Sequence, residues 1–271
     1  MPHRPTRHRR LALLASVLAA LAWTSFAAAQ EKTPPRRLCM IVAGTRPEVA
    51  FEKRGELYIE VDAPTKSIPP SQIDIMGGGK EGEETLMATM PANLNEMVIF
   101  EDYKGGAGLQ LVLKRPMLAN DTGTSVKITC DLGKTRAPLI IIYPKSPEQG
   151  WDEPTVRVFD VTPAGLPSNA LLCVNLTAVN LGARFGAVMG SVAAGQSKVF
   201  PLPESAAAGP FPFKVDLMLT QGPITIANSS YLKSSAQPLV LLAVPIYRVA
   251  PGNPPVSLQF LPLRPPAVTP P

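Results

Sequence analysis

The sequence predicts an all-β fold, two tandem antiparallel β-sandwich domains, Ig-like or related, after a cleaved signal peptide. Three observations predict it. Short apolar runs recur along the chain between Gly, Pro, Asn and Asp, the rhythm of strands and turns in sandwiches and barrels. The 31 prolines leave little room for long helices, because Pro lacks the amide proton and collides with the preceding turn. Several runs also alternate with period two. Leu57, Ile59 and Val61 share one face and Tyr58, Glu60 and Asp62 the other; Val126, Ile128 and Cys130 alternate with Lys127 and Thr129. Such alternation marks one buried and one wet face, as in antiparallel sheets.

The elements follow in order. Residues 1–29 read as a secretory signal: Arg4, Arg7, Arg9 and Arg10 precede the apolar run Leu11 to Ala22, and Ala27-Ala28-Ala29 stands before Gln30. The run is shorter than the roughly 20 residues a spanning helix needs. No later segment is long and apolar enough to span, so an exported, soluble protein, periplasmic or extracellular, is expected. Residues 30–37 (QEKTPPRR) are a polar leader, expected to be flexible. Strands are then expected at 38–43, 56–62, 72–76, 85–90, 97–101, 109–114, 125–130, 139–143 and 156–160. In the second half they are expected at 170–177, 198–200, 213–219, 224–227, 239–244 and 256–260. The tail, Pro262 to Pro271, is proline-rich and is expected to be extended or disordered.

The halves resemble each other. RAPLIIIYPKSP from Arg136 recurs as AQPLVLLAVPIY from Ala236. PTVRVFDVTPAG from Pro154 recurs as PPVSLQFLPLRP from Pro254, and Leu38 to Val42 parallels Leu172 to Leu176. On this reading the first unit spans 38–166, the second 167–265, and 266–271 is a Pro-rich tail. The first is longer, and the surplus is assigned to an insertion from Gly77 to Asn95. PKSPEQGWDEP is then a loop inside the first unit rather than a linker.

Charge and histidine content exclude whole classes of function. The chain has 26 basic and 21 acidic residues. Without the four signal arginines, 22 basic residues face 21 acidic, a net charge of +1. No basic patch of the kind a nucleic-acid binder carries is evident. Both histidines, His3 and His8, lie in the signal. The mature chain therefore lacks the imidazole on which Ser-His-Asp and Cys-His catalysis and His-ligated metal sites depend. No catalytic, metal or cofactor-binding residue is assigned, and no cofactor is expected.

Other chemistry has weak support. Cys39, Cys130 and Cys173 are an odd set; Cys39–Cys130 is the candidate disulfide, against three buried thiols acting as small hydrophobes. Cys173 stands in an apolar run without a nearby cation, which argues for inertness. Gly77-Gly78-Gly79-Lys80 is followed by Glu81 rather than Ser or Thr, so it reads as a turn and not a phosphate loop. The acids Asp62, Asp74, Glu101, Asp102, Asp131 and Asp160 lie on or at the ends of expected strands and supply the only route to two-carboxylate chemistry. Asn120-Asp121-Thr122-Gly123 reads as a turn rather than a calcium loop. Ser197–Lys198 and Lys233–Ser234 are neighbours in strands and face opposite ways, which rules out a Ser-Lys dyad. Trp151 and Tyr143 are the one local aromatic concentration, either an exposed platform for sugar rings or, for Trp151, a plug at the end of a sandwich.

The stretch VRVFDVTPAGLPSNALLCVNLT followed by GSVAAGQSKVFPLP resembles uncharacterised exported bacterial proteins with tandem β-sandwich repeats. The resemblance covers about residues 136 to 203 and implies a fold, with no activity attached to any residue. The functional expectation is a non-enzymatic binding or structural module of the cell envelope, contacting an envelope protein or a surface polysaccharide. The alternatives are a histidine-free carboxylate-dependent polysaccharide hydrolase and a carbohydrate-binding module.

Overall fold

The apolar runs do form strands, and their pattern of burial sorts them into layers. The computed structural model describes residues 35–47, 49–77, 85–116, 125–146, 149–202, 209–233, 237–246 and 255–263. The signal segment, the first part of the leader, the Gly78–Lys80 turn, the Asn120–Gly123 turn and the tail lie outside these residues. In chain order the first strands are β1 (Arg36–Val42), β2 (Ala50–Arg54), β3 (Leu57–Val61), β4 (Gln72–Gly77), β5 (Thr85–Pro91), β6 (Met97–Tyr103), β7 (Gly108–Lys114), β8 (Ser125–Asp131), β9 (Pro138–Pro144) and β10 (Pro154–Asp160). The second set is β11 (Ala170–Asn175), β12 (Leu181–Phe185), β13 (Val188–Val192), β14 (Ser197–Pro201), β15 (Gly209–Leu219), β16 (Gly222–Lys233), β17 (Leu239–Pro245) and β18 (Val256–Pro262). No helix among the described residues is long and apolar enough to cross a membrane.

The strands fall into two groups of sheets. The first has the orders β10-β9-β1-β6 and β5-β4-β7-β8, with β2-β3 as a separate two-stranded ribbon. The second has β14-β11-β17-β18 and β13-β12-β15-β16. Matching β1 to β11 and β4 through β10 to β12 through β18 maps one group onto the other strand for strand. The self-similar sequence segments occupy matching places: β9 with β17, β10 with β18, β1 with β11.

Burial explains why the inner strands read as unbroken apolar runs. β1 and β11 are buried at every residue, and β9 and β17 at nearly every residue. One face of β1 and β9 (Leu38, Met40, Val42, Ile140, Ile142) shares a core with β4, β7 and β8. The other face (Cys39, Ile41, Leu139, Ile141) packs on Leu172, Val174, Val240 and Leu242 of β11 and β17. The remaining face of β11 and β17 (Leu171, Cys173, Leu239, Leu241) joins a core with β12 and β15. Four sheets therefore stack in order, and the middle two are covered on both sides. Each side chain so buried stabilises by ~1.5–3 kcal/mol relative to exposure.

Four expectations need correction. The sheets are not wholly antiparallel: β1 pairs parallel with β9 (Cys39 opposite Leu139) and β11 parallel with β17 (Leu171 opposite Leu239). Strands covered on both faces are the setting parallel pairs require. The Gly77–Asn95 region is no insertion, because β4–β5 has its counterpart in β12–β13. The surplus lies earlier, where residues 43–71 connect β1 to β4 while only 176–180 connect β11 to β12. The polar leader is also shorter than expected, since Arg36 and Arg37 already belong to β1 and are buried. Finally, β3 has no buried face; all its residues are exposed.

Candidate functional site

The surplus segment builds a feature that has no counterpart among the described residues between β11 and β12, the β2–β3 ribbon. Gly55 turns the chain at φ 68 between Arg54 and Leu57, the positive φ that a Gly-X two-residue hairpin turn demands. The ribbon pairs Ala50 with Val61 and Glu52 with Ile59. On one face stand Leu57, Ile59 and Val61, beside Ala50, Glu52 and Arg54 across the ribbon. Phe51 and Tyr58 stand on the other face. Phe51 is 60% exposed, Leu57 70% and Tyr58 70%. Half of the large apolar side chains exposed among the described residues lie between Val49 and Val61. The Arg54 guanidinium donates to the Glu52 carboxylate at 3.0 and 3.2 Å, an exposed pair that contributes little to stability.

At the root of the ribbon lies a cavity of about 460 Å³. Its walls are mostly apolar: Pro47, Ala50, Val61, Pro64, Pro144, Trp151 and Ile246, with Arg46, Asp62 and Lys66 among its polar lining. A volume and lining of this kind suit a small ligand or an inserted side chain. Ala50 and Val61 carry the ribbon's aliphatic face directly into it.

The cavity wall is held by a construction that sequence reading missed. Two short 3-10 turns, Thr65–Ser67 and Gly150–Asp152, press together. Gly150 has φ 57, and a Cβ there would lie 2.2 Å from the Lys66 carbonyl oxygen, so only glycine fits. The Arg115 guanidinium, buried just past β7, donates to the Thr65 carbonyl at 2.9 Å and pairs with the Asp152 carboxylate at 2.8 Å. Trp151 is 3% exposed and belongs to the core of the first group. Its ring leaves a Cβ at Gly44 only 3.0 Å. Asn95, at φ 58, brackets Gly44 by accepting from its N–H at 3.1 Å and donating to its carbonyl at 2.8 Å. No pattern in the sequence announces Arg115, since its partners are 50 residues upstream and 37 downstream of it.

The expected site residues are dispersed. Trp151 and Tyr143 form no exposed platform: Trp151 is in the core, and Tyr143 packs half-buried at the interface of the two middle sheets. The candidate disulfide is absent. Cys39, Cys130 and Cys173 are buried free thiols, and Cys39 packs in the interface of the middle sheets while Cys130 packs in the core of the first group. Burial pushes the Cys130 and Cys173 thiols up to about 12 and raises Cys39 as well.

The acids have separate partners. Burial acts to raise the Asp74 carboxyl, but the Lys114 ammonium and the Thr89 hydroxyl outweigh it and hold the group below the usual carboxylate range. Asp160 is likewise lowered: burial is outweighed by the Thr135 hydroxyl at 2.6 Å and by Thr162. Glu101 binds Arg37 at 3.1 Å, Asp102 pairs with Lys104 at 3.4 Å, and Asp131 accepts from the Gly133 N–H at 2.8 Å. Among the described residues, Asp62 is the sole carboxylate lining the ribbon cavity, and a second cavity of about 270 Å³ includes Asp160 as its sole described carboxylate, near Lys198. Lys198 lies over the Phe200 ring at 5.3 Å, and Lys233 is buried at the end of β16 with its ammonium 3.5 Å from the Ser168 carbonyl. No group of three His, Cys, Asp or Glu suited to a metal ion occurs among the described residues.

Comparison with known proteins finds no family model that matches the chain and no similar curated protein.

Proposed function

We propose that this chain is an exported, non-enzymatic binding or structural module of the cell envelope, built as two tandem β-sandwich repeats, and that it meets its partner through the β2–β3 ribbon and the cavity at its root. It would belong with exported bacterial proteins carrying tandem β-sandwich repeats, periplasmic or extracellular and soluble. One observation carries the reading: the ribbon stands between β1 and β4 of one repeat and has no counterpart between β11 and β12 of the other, and it holds exposed the apolar side chains that alternation would ordinarily bury. Contiguous exposed apolar surface marks interaction sites. An isolated two-stranded hairpin is also marginal in water, so this one gains from a partner.

The carboxylate-dependent hydrolase has less support. Retaining and inverting mechanisms both need two carboxyls in one cleft, and among the described residues each of these two cavities includes one. A carbohydrate-binding module lacks its platform, since Trp151 is buried.

Chemical cross-linking in intact source cells, comparing the natural chain with one whose residues 50–61 are replaced by a short Gly-Ser link, tests the reading. The natural chain is expected to bring down a reproducible envelope partner, and the ribbon-less chain to lose it. Equal recovery from both, or a natural chain that comes down alone, would contradict it.

A further inference from the structure

We infer that the cavity at the root of the ribbon binds a small zwitterion with an apolar body, an apolar α-amino acid or a dipeptide of such residues, with its carboxylate on Arg46 and its ammonium on Asp62. The inference concerns the cavity alone and goes beyond the reading of the ribbon as a protein contact.

Charge carries the assignment. Three charged residues line the cavity: Arg46, Asp62 and Lys66. Lys66 is already partnered. Arg46 and Asp62 are exposed, so they stand at the rim, and among the described residues neither side chain pairs with the other or with a third group. Solitary charges are ordinary on open surface, where water solvates them. Here one of each sign borders the same apolar cavity. A ligand carrying both charges satisfies both groups. A ligand with one charge, or none, strips water from a rim group and leaves it unpaired, which costs free energy.

The chain path brings the two groups to one rim. Arg46 lies on the segment that enters β2, Asp62 directly follows β3, and the pair Ala50–Val61 closes the ribbon between them. Opposite charges thus flank the place where the ribbon joins the cavity.

The walls select the apolar body. Trp151, Ile246, Val61 and three prolines line the space. Pro47, Pro64 and Pro144 restrict the backbone, and Arg115 locks Thr65 to Asp152. A wall already held in place loses little freedom when a ligand enters. At ~30 Å³ per water in the liquid, about 460 Å³ holds roughly 15 groups of water size. A leucine or phenylalanine molecule fits with room to spare, and a dipeptide of two aliphatic residues fills it.

Trp151 supplies the readout. Trp23 lies in the expected signal segment, so the chain from Gln30 onward holds Trp151 as its single tryptophan, and that ring walls the cavity. The purified chain would be titrated with L-leucine, L-phenylalanine and leucyl-leucine while tryptophan fluorescence is read. At least one is expected to give a saturable change and a thermal midpoint that rises with its concentration. Which of them saturates first tells amino acid from dipeptide. N-acetylation of the best ligand removes its ammonium and amidation its carboxylate, and each is expected to weaken binding by about tenfold. Asp62→Asn is expected to weaken the unmodified ligand to the same degree and to make N-acetylation cost nothing further. Arg46→Gln is expected to do the same for amidation. Both positions are exposed, so neither substitution is expected to move the midpoint of the empty chain. The absence of a saturable change with any of the three up to ~10 mM would overturn the inference. Acetylated and amidated ligands that bind as tightly as the parent would overturn it too, as would binding that Arg46→Gln and Asp62→Asn leave unchanged. None of these failures touches the ribbon reading, whose test is the loss of a captured partner.

Discussion

Trp151 and Asn175 show what single residues do here. Trp151 fills the end of the first core and forms a wall of the cavity. Trp151→Ala is expected to cost ~3–5 kcal/mol, the usual range for deleting a buried aromatic ring. Trp151→Phe should cost much less, and chemical denaturation of the three chains checks the order. Asn175 is fully buried, and its amide donates to the Val179, Val192 and Ala193 carbonyls at 2.8–3.2 Å while its oxygen accepts from Thr177. Truncation to Ala leaves several of those groups without partners, at a cost of about 2 kcal/mol or more. The three thiols should be inert in the native state, since burial raises all of them. Thiol titration of the mature chain at pH 8 is expected to read none before unfolding and three after it. A stable reading of one after unfolding would restore the disulfide.

At the scale of elements, two glycines with left-handed backbones separate the ribbon from the core. Gly55 turns in open space, whereas a Cβ at Gly150 runs into the Lys66 carbonyl. Gly150→Ala is expected to lower global stability by more than the ~1–2 kcal/mol of left-handed strain alone. Gly55→Ala should leave the global transition almost unmoved, because among the described strands β2 and β3 pair only with each other. Elements also show what was legible in the sequence. The runs LCMIV, PLIIIY, ALLCV and LVLLAV give away strands covered on both sides, and their lack of alternation is the signal of parallel neighbours. β12 and β13 (LGARF, VMGSV) escaped notice because their glycines and short length dilute the apolar pattern. β2 (AFEKR) escaped because it is charged and wet on both faces. β3 was recognised as a strand, but its alternation predicted a buried face. The alternation is real, but both faces of the strand are exposed.

For the whole molecule, the shared interface of the two middle sheets makes the halves a single packed stack, with the side chain of Arg157 on β10 also donating to the Gly195 carbonyl at 3.0 Å. Aromatic contacts add to the second core, with Tyr231 stacked on Phe260 at 4.5 Å and Phe213 edge-on to Phe260 at 4.8 Å. Acid sensitivity should be a property of the whole. Asp74, Asp160 and Asp216 all have carboxyl values held below those of the unfolded chain. A lowered folded value gives stability that is present above the unfolded carboxylate range, near pH 4, and is lost as pH falls through it. Thermal midpoints are expected to be flat from pH 7 to about 5 and to drop below that. Asp74→Asn and Asp216→Asn should each lower the neutral-pH value and flatten the drop. The repeat was legible from three matched segments. The cavity was not, because Arg115, Gly150, Trp151 and Asn95 converge from distant parts of the chain.

The central claim is that the ribbon is the contact surface, and in-cell photocross-linking at single positions tests it most directly. A photoreactive residue would be placed at Tyr58 on the ribbon and, in a second chain, at Leu232 on β16, which is equally exposed. The account predicts a discrete cross-linked product from position 58 and none from position 232. A product from position 232 with none from position 58 would contradict it, as would silence at both.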